Sequence, residues 1–515
     1  MFYKKSIRFV AGLLAFGSLL TLDSCKDGQQ LAPEYSPTTA NARLASDFMF
    51  YALTDNNQLV RLNTQNPSVS MGMTTVTGIL NNERLMGIDF RPATGQLYGV
   101  TNGSRLYIIN VNTGAATPVG AGAFTPAIMG DALGFDFNPT VDRIRLVTQR
   151  GQNLRLNPET GAVMIVDGPI NGAAGASVSG VAYTNNRAGV TTTTLYDIDP
   201  VSDKLYRQNP PNDGTLAEVG PLGVDIAGLS NFDIAPDGSA IATLISNGTQ
   251  ALYEINLTSG RAELIGNLPN AMSLVGLAIP TEPIAYAVDG TNTLHFINPM
   301  TGATTTTKAI TGLQGGETLY GIDIRPLNGQ LYALGTTGRV YTINTASAAA
   351  TAVGAPLTLS GGDFGFDFNP TVDRIRIVSN SGLNLRYNPN DNAVIVDGGL
   401  NPGSPNVTAA AYTNSFPGAT TTTLYDIDTR TGSAMLFTQA PPNNGTLVPV
   451  GSLNVQVEGG NGFDIGGTSG MGYAVLRADG VTRLYSINLM TGMATERSAV
   501  MGNPSVRGFA IGLGF

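Results

Sequence analysis

The sequence predicts an all-β protein assembled from many short, repeated sheets, and three observations predict it. The chain is written twice: GFDFNPTVDRIR stands at residues 134–145 and again, letter for letter, at 365–376. Each half carries a shorter period marked by a turn motif. The composition is rich in turn formers and poor in charge, with 64 glycines, 29 prolines and 13% charged residues in 515. Gly and Pro together stay below the roughly 25–30% at which such a chain reads as disordered. With 42% of residues hydrophobic, a chain of this length can bury a large core.

The first element is an export segment. Lys4, Lys5 and Arg8 form a positive start, and FVAGLLAFGSLL (9–20) is an apolar run too short to span a bilayer. Residues 1–24 therefore read as a signal peptide. The stretch Leu22-Asp23-Ser24-Cys25 resembles a bacterial lipobox, with Asp23 departing from the usual pattern, and Cys25 is the only cysteine of the chain. Lipidation of Cys25 is expected, and no disulfide framework can form within the chain. Residues 25–46 are polar, with two prolines and no hydrophobic period, and read as a flexible tether. The expected address is the cell envelope, at the outer membrane of a Gram-negative bacterium, with the membrane as partner through the lipid.

Two tandem domains are expected next, 47–280 and 281–515. GIDFRP (87–92) matches GIDIRP (321–326), TTTTLYDID (191–199) recurs at 420–428, and QNPPNDGTLAEVG (208–220) matches QAPPNNGTLVPVG (439–451). All these offsets are about 230 residues. Within each half a shorter motif recurs as INVNTG (109–114), LNPETG (156–161), INLTSG (255–260), INPMTG (297–302) and INLMTG (487–492). Looser forms are LNTQNP (62–67), INTASA (343–348) and YNPNDN (387–392). Asn bonds its own backbone two residues on and Gly accepts positive φ, so the motif predicts a hairpin turn between two short strands. Two more strands precede each hairpin, as in MGIDF and QLYGV, giving a four-stranded unit repeated five times per half. Short strands at this spacing, with no long helical pattern, predict the radial blades of a β-propeller.

Ring closure is also legible. The first half opens at a second strand, in FMFYALTDNNQLVRLN (48–63), and a spare first strand ends it in LVGLAIP (274–280). The second half ends the same way in RGFAIGLGF (507–515). The expectation is two five-bladed rings, each closed by its own last strand, which removes sheet edges. A single ten-bladed ring uses the same strands and is the alternative.

The duplicated GFDFNPTVDRIRLV and NLRLNP stretches resemble the bacterial family called domain of unknown function 4394, over nearly all of residues 47–515. The resemblance implies no activity and no catalytic residues.

Candidate site residues come from aligning the first strand of every unit. The series reads Asp89, Asp136, Ala182, Asp233, Ala278 in one half and Asp323, Asp367, Ala411, Asp464, Ala510 in the other. First strands of blades line a channel, so three carboxylates are expected to converge in each ring. Carboxylates so placed raise one another's pKa and need a cation, arginines or N–H donors. One reading gives each trio a Ca²⁺ ion. The favoured reading makes them struts between blades, bonded to backbone or to Arg143, Arg145, Arg155, Arg374, Arg376 and Arg386. Asp142 and Asp373 fall in the NPTVD turn, where local backbone bonding is expected. Asp197, Asp199, Asp426 and Asp428 in LYDID are expected in a solvated loop, with a second cation site as the alternative. The recurrent tyrosines Tyr98, Tyr107, Tyr196, Tyr253, Tyr332 and Tyr485 are expected to pack between blades.

Function classes narrow accordingly. A net charge of −9 argues against nucleic acid as partner. His295 is the only histidine, the aligned residue in the first half is Val60, and no GxSxG, P-loop or zinc-ligand spacing occurs. The sequence therefore favours a non-catalytic, lipid-anchored platform for a protein or glycan, with no resident cofactor. The alternative is a Ca²⁺-dependent hydrolase or lactonase using a channel carboxylate site.

Overall fold

A computed structural model describes residues 46–515 apart from 270–271, 431–432, 459 and 501. The export segment, Cys25 and the tether up to residue 45 lie outside the described residues. Those described fall in one compact unit of forty strands and two 3-10 turns, Pro211–Asp213 and Pro442–Asn444. No helix among them is long and apolar enough to cross a membrane.

The strands form ten four-stranded antiparallel sheets, a propeller-like repeat. The hairpin motif explains their regularity. In INVNTG, Asn110 Oδ1 accepts the N–H groups of Asn112 and Thr113 at 3.0 and 3.1 Å, and Gly114 turns the chain at φ 75°. Asn157, Asn256, Asn298 and Asn488 make the same pair of bonds in their own turns. An unfolded chain reaches this geometry cheaply, because the Asn side chain stands in for a backbone partner.

Eight sheets are built from strands consecutive in sequence. The other two recruit a distant strand: Leu274–Ala278 pairs with Met49–Thr54, and Val506–Ile511 with Ala285–Asp289. In the first half the innermost strands neighbour one another in the order Leu85–Phe90, Leu133–Asn138, Gly180–Tyr183, Asn231–Ile234, Leu274–Ala278, and the last neighbours the first. The second half repeats the order with Leu319–Ile324, Phe364–Asn369, Val407–Tyr412, Asn461–Ile465 and Val506–Ile511.

Glycine two residues before the aligned Asp lets these strands crowd. A Cβ on Gly134 would lie 2.6 Å from Val181 N, and one on Gly365 2.6 Å from the Ala410 Cβ. Farther out, apolar side chains fill the space between sheets. Tyr98 packs edge-on against Phe137 of the next sheet at 5.2 Å, and Tyr332 against Phe368 at 5.1 Å. Of the recurrent tyrosines, all but Tyr196 are buried.

The halves touch each other directly. Tyr286 Oη donates to Ala93 O at 2.8 Å, and Arg91 Nη1 donates to Gly329 O at 3.2 Å.

Candidate functional site

The six aligned aspartates sit on the innermost strands, each trio with one oxygen per residue within 4.8 Å of the others. All six are buried, Asp89, Asp136 and Asp233 each at 1% exposure. Burial alone forces such groups to find donors.

The donors are main-chain N–H groups. Asp89 accepts Phe90 N–H at 2.7 Å on Oδ1 and Phe137 N–H at 2.7 Å on Oδ2. Asp233 accepts Ile234 and Ile279 N–H, both at 2.6 Å, and Asp136 Oδ1 accepts Tyr183 N–H at 3.1 Å. Each carboxylate thus bridges to the neighbouring inner strand. The second trio repeats the bonds: Asp323 to Ile324 and Phe368, Asp464 to Ile465 and Ile511, Asp367 to Tyr412. In the first half four inner strands and Ile279, just past the end of the fifth, contribute one N–H each, and in the second all five strands do, so five donors face six carboxylate oxygens. The oxygen left over is Oδ2 of Asp136 in one half and of Asp367 in the other.

That surplus shapes the electrostatics. Burial first, then the Asp89 and Asp233 charges, push Asp136 well above the carboxylate range. Asp367 is raised in the same way by burial, Asp323 and Asp464. Asp233 and Asp464, each with two N–H donors, are pushed by burial only to about 7. Asp89 and Asp323 are raised by burial and by the Asp233 and Asp464 charges respectively. The trio can therefore hold a proton shared among its oxygens, or a cation in its place.

The arginines expected beside these carboxylates go elsewhere. Asp136 stands opposite Arg145 in register, but the long side chain runs outward and its Nη1 meets Asp167 at 2.6 Å and Asn153 at 2.7 Å. Arg155 meets the same Asp167 carboxylate at 2.7 Å. Arg376 and Arg386 repeat this on Asp397, each at 2.7 Å. Arg143 and Arg374 reach only turn carbonyls, of Asp142 and of Val372 and Asp373. The cause is simple: the guanidinium finds a better-solvated acid at the sheet's outer edge, while the inner-strand Asp is already met by N–H.

Two further expectations change. Asp142 and Asp373 are not turn residues alone, since Arg91 grips Asp142 through Nε (2.8 Å) and Nη2. Arg325 does the same to Asp373 through Nε at 2.7 Å. The recurrence of Arg-Pro in both halves beside the recurrent NPTVD was the signal that could have found these pairs. LYDID is a buried strand rather than a solvated loop: Asp197, Asp199, Asp426 and Asp428 are at most 1% exposed. Asp199 accepts Ser177 and Val201 N–H, both at 3.0 Å. Asp197 and Asp426 have no hydrogen-bond partner on either oxygen among the described residues. Burial raises both, Asp426 to about 8.

His295 lies in the strand Thr293–Ile297, its Nε2 2.8 Å from Asp289 Oδ2. Asp289 also accepts Thr291 and Thr293 N–H at 2.8 and 3.0 Å.

Comparison with known proteins yields one family. A family model described as Domain of unknown function (DUF4394) matches residues 58–278 and 293–510. No curated protein matches the chain. Among solved structures the chain is similar to the extracellular domain of BT4673 from B. thetaiotaomicron, at 12% identity and a TM-score of 0.25. That alignment covers 88% of this chain, which spans 66% of the length of the other.

Proposed function

The chain belongs to the family of domain of unknown function DUF4394, in two tandem copies, and on that footing we propose a non-catalytic scaffold of the cell envelope. In this reading it is exported, lipid-anchored through Cys25, and built as two five-bladed propellers whose loops bind protein or glycan. The cyclic order of inner strands within each half supports two rings over one ring of ten blades.

One observation carries the non-catalytic reading: five of the six channel oxygens in each half are already occupied by N–H groups of neighbouring strands. Such carboxylates work as struts that hold sheet to sheet. The single histidine, His295, is bonded to Asp289 and belongs to neither trio.

A second reading, a Ca²⁺-dependent hydrolase or lactonase, is favoured by the unpaired Oδ2 of Asp136 and Asp367. Thermal melts with EDTA and then with Ca²⁺ separate the two. The strut reading expects the same Tm in both. A Ca²⁺-dependent rise, on the order of 2.7 kcal/mol at about 100 times Kd, lost in Asp136→Asn and Asp367→Asn, favours the metal site and calls for an esterase and lactonase screen.

A further inference from the structure

Ten strands end the ten sheets on their outer side, and an outer strand leaves half its main-chain N–H and C=O groups without partners. Proteins blunt such edges with charge or proline. Here Pro118, Glu218, Glu263, Lys308, Pro449 and Glu496 do this in six of the ten. The outer strands Gly72–Thr75 and Ala349–Val353 carry mainly small residues and threonine instead.

The remaining two are different, and they occupy equivalent places in the two halves. Val163–Val166 reads VMIV and Val394–Val396 reads VIV, with neither charge nor proline. Their side chains are turned to solvent: Val166 is 59% and Val396 74% exposed. Their main chain is open too. Asp167 N–H bonds Asn153 O at 2.9 Å while Val166 stands opposite Leu154, so Val166 directs its own N–H and C=O away from the sheet. Asp397 N–H and Asn384 O, with Val396 opposite Leu385, repeat the arrangement. At its far end each strand is pinned, because Asp167 and Asp397 are the carboxylates gripped by paired arginines. Each edge is therefore anchored at that end, and in Val163–Val166 a bulge at Met164 interrupts the pairing with the inner neighbour.

We propose that these two edges are self-association sites, at which the strand adds antiparallel to the same strand of a second copy of this chain. An added extended strand would exchange water for main-chain partners along the whole edge, and an uncharged aliphatic one would also cover these side chains. The segment itself has both properties. Antiparallel pairing of a strand with its own copy is a two-fold contact that sets each aliphatic run against itself. A short edge makes a weak contact alone, but two per chain allow copies to join in rows, where avidity compensates.

The experiment is cysteine cross-linking of the full chain in cells that make it, with the unsubstituted chain, which keeps Cys25, as the baseline. Single cysteines replace Met164, Ile165, Val166, Val394, Ile395 or Val396 in turn, and Met490→Cys, in an exposed hairpin turn, reports random collision. Cα atoms paired across an antiparallel contact lie within disulfide reach. The expected result is a disulfide-linked dimer from at least one position in each edge and none from M490C. Adding Lys at the neighbouring exposed site, as in I165K with V166C, should return the dimer to background without loss of protein. The proposal is overturned if no edge position gives a dimer, if M490C gives as much, if lysine changes nothing, or if the adduct has the mass of a different protein.

Discussion

Arg91 and Arg325 are the same residue of the same motif in the two halves, yet they do different work. Both grip the turn aspartate of the next sheet, Asp142 or Asp373. Arg325 adds Tyr332 and, at 2.7 Å, Asn390. Arg91 adds Glu159 at 3.1 Å and the carbonyls of Asn328 and Gly329 from the other half, and it is 1% exposed. The residue aligned with Glu159 is Asn390, so the acid is present where the arginine is sealed and absent where water still reaches it. The shared contacts belong to the sheet-to-sheet architecture, and the additional ones to the place where the halves meet.

That contrast gives the largest expected effect. Arg91→Ala strands Asp142 and Glu159 in a closed site and should cost about 3–5 kcal/mol, the range for breaking a buried ion pair. Arg325→Ala should cost less, about 1–3 kcal/mol, because Asp373 retains solvent and Asn390. Denaturant titration of both variants checks the difference, and equal losses would remove the seam's special role.

The carboxylate trios, unlike the seam, are alike in both halves, and pH should show it. A carboxyl raised to about 7 when folded, as for Asp233 and Asp464, holds its proton where the unfolded chain has released it. Stability is then fully present below about pH 4 and declines as pH rises to about 7, by on the order of a few kcal/mol. Asp136→Asn and Asp367→Asn should each flatten that decline and raise Tm at pH 8 more than at pH 5, by similar amounts. Melts across this range test both the sign and the equivalence.

Asp197 and Asp426 give a smaller effect of the same sign. Asn or Leu in place of either removes an unpaired buried acid, and above pH 8 each should stabilise the chain by about 1–2 kcal/mol. The smallest difference concerns Gln330, whose Nε2 donates to Ile343 O at 3.0 Å, against Gln96, whose Oε1 is buried with no partner among the described residues. Gln330→Ala should cost about 1 kcal/mol and Gln96→Ala close to nothing.

The sequence made the repeat readable because Asn and Gly at fixed offsets act locally, needing no knowledge of the rest of the chain. The Asp89, Asp136 and Asp233 series was readable for a related reason, since equivalent positions in equivalent units face the same way. The arginine partners were not. Register places Arg145 opposite Asp136, but a side chain of that length chooses its acid by solvation and reach, which letters do not record. LYDID misled for another reason. A strand in the middle of such a sheet is covered on both faces by neighbouring sheets, so alternation carries no information about exposure, and Asp197 looks no different from a surface residue.

The strand Val506–Ile511 completes a sheet begun more than two hundred residues earlier at Ala285–Asp289. A chain made from its N-terminus therefore finishes its first half, sealed by Leu274–Ala278 against Met49–Thr54, before the second half can be sealed at all. Bringing such distant ends together costs little extra at equilibrium, about 0.6 kcal/mol per doubling of length, but it makes folding slow. Synthesis then sets the order of assembly, and the second half stays unlatched and open to proteases until its last strand has arrived.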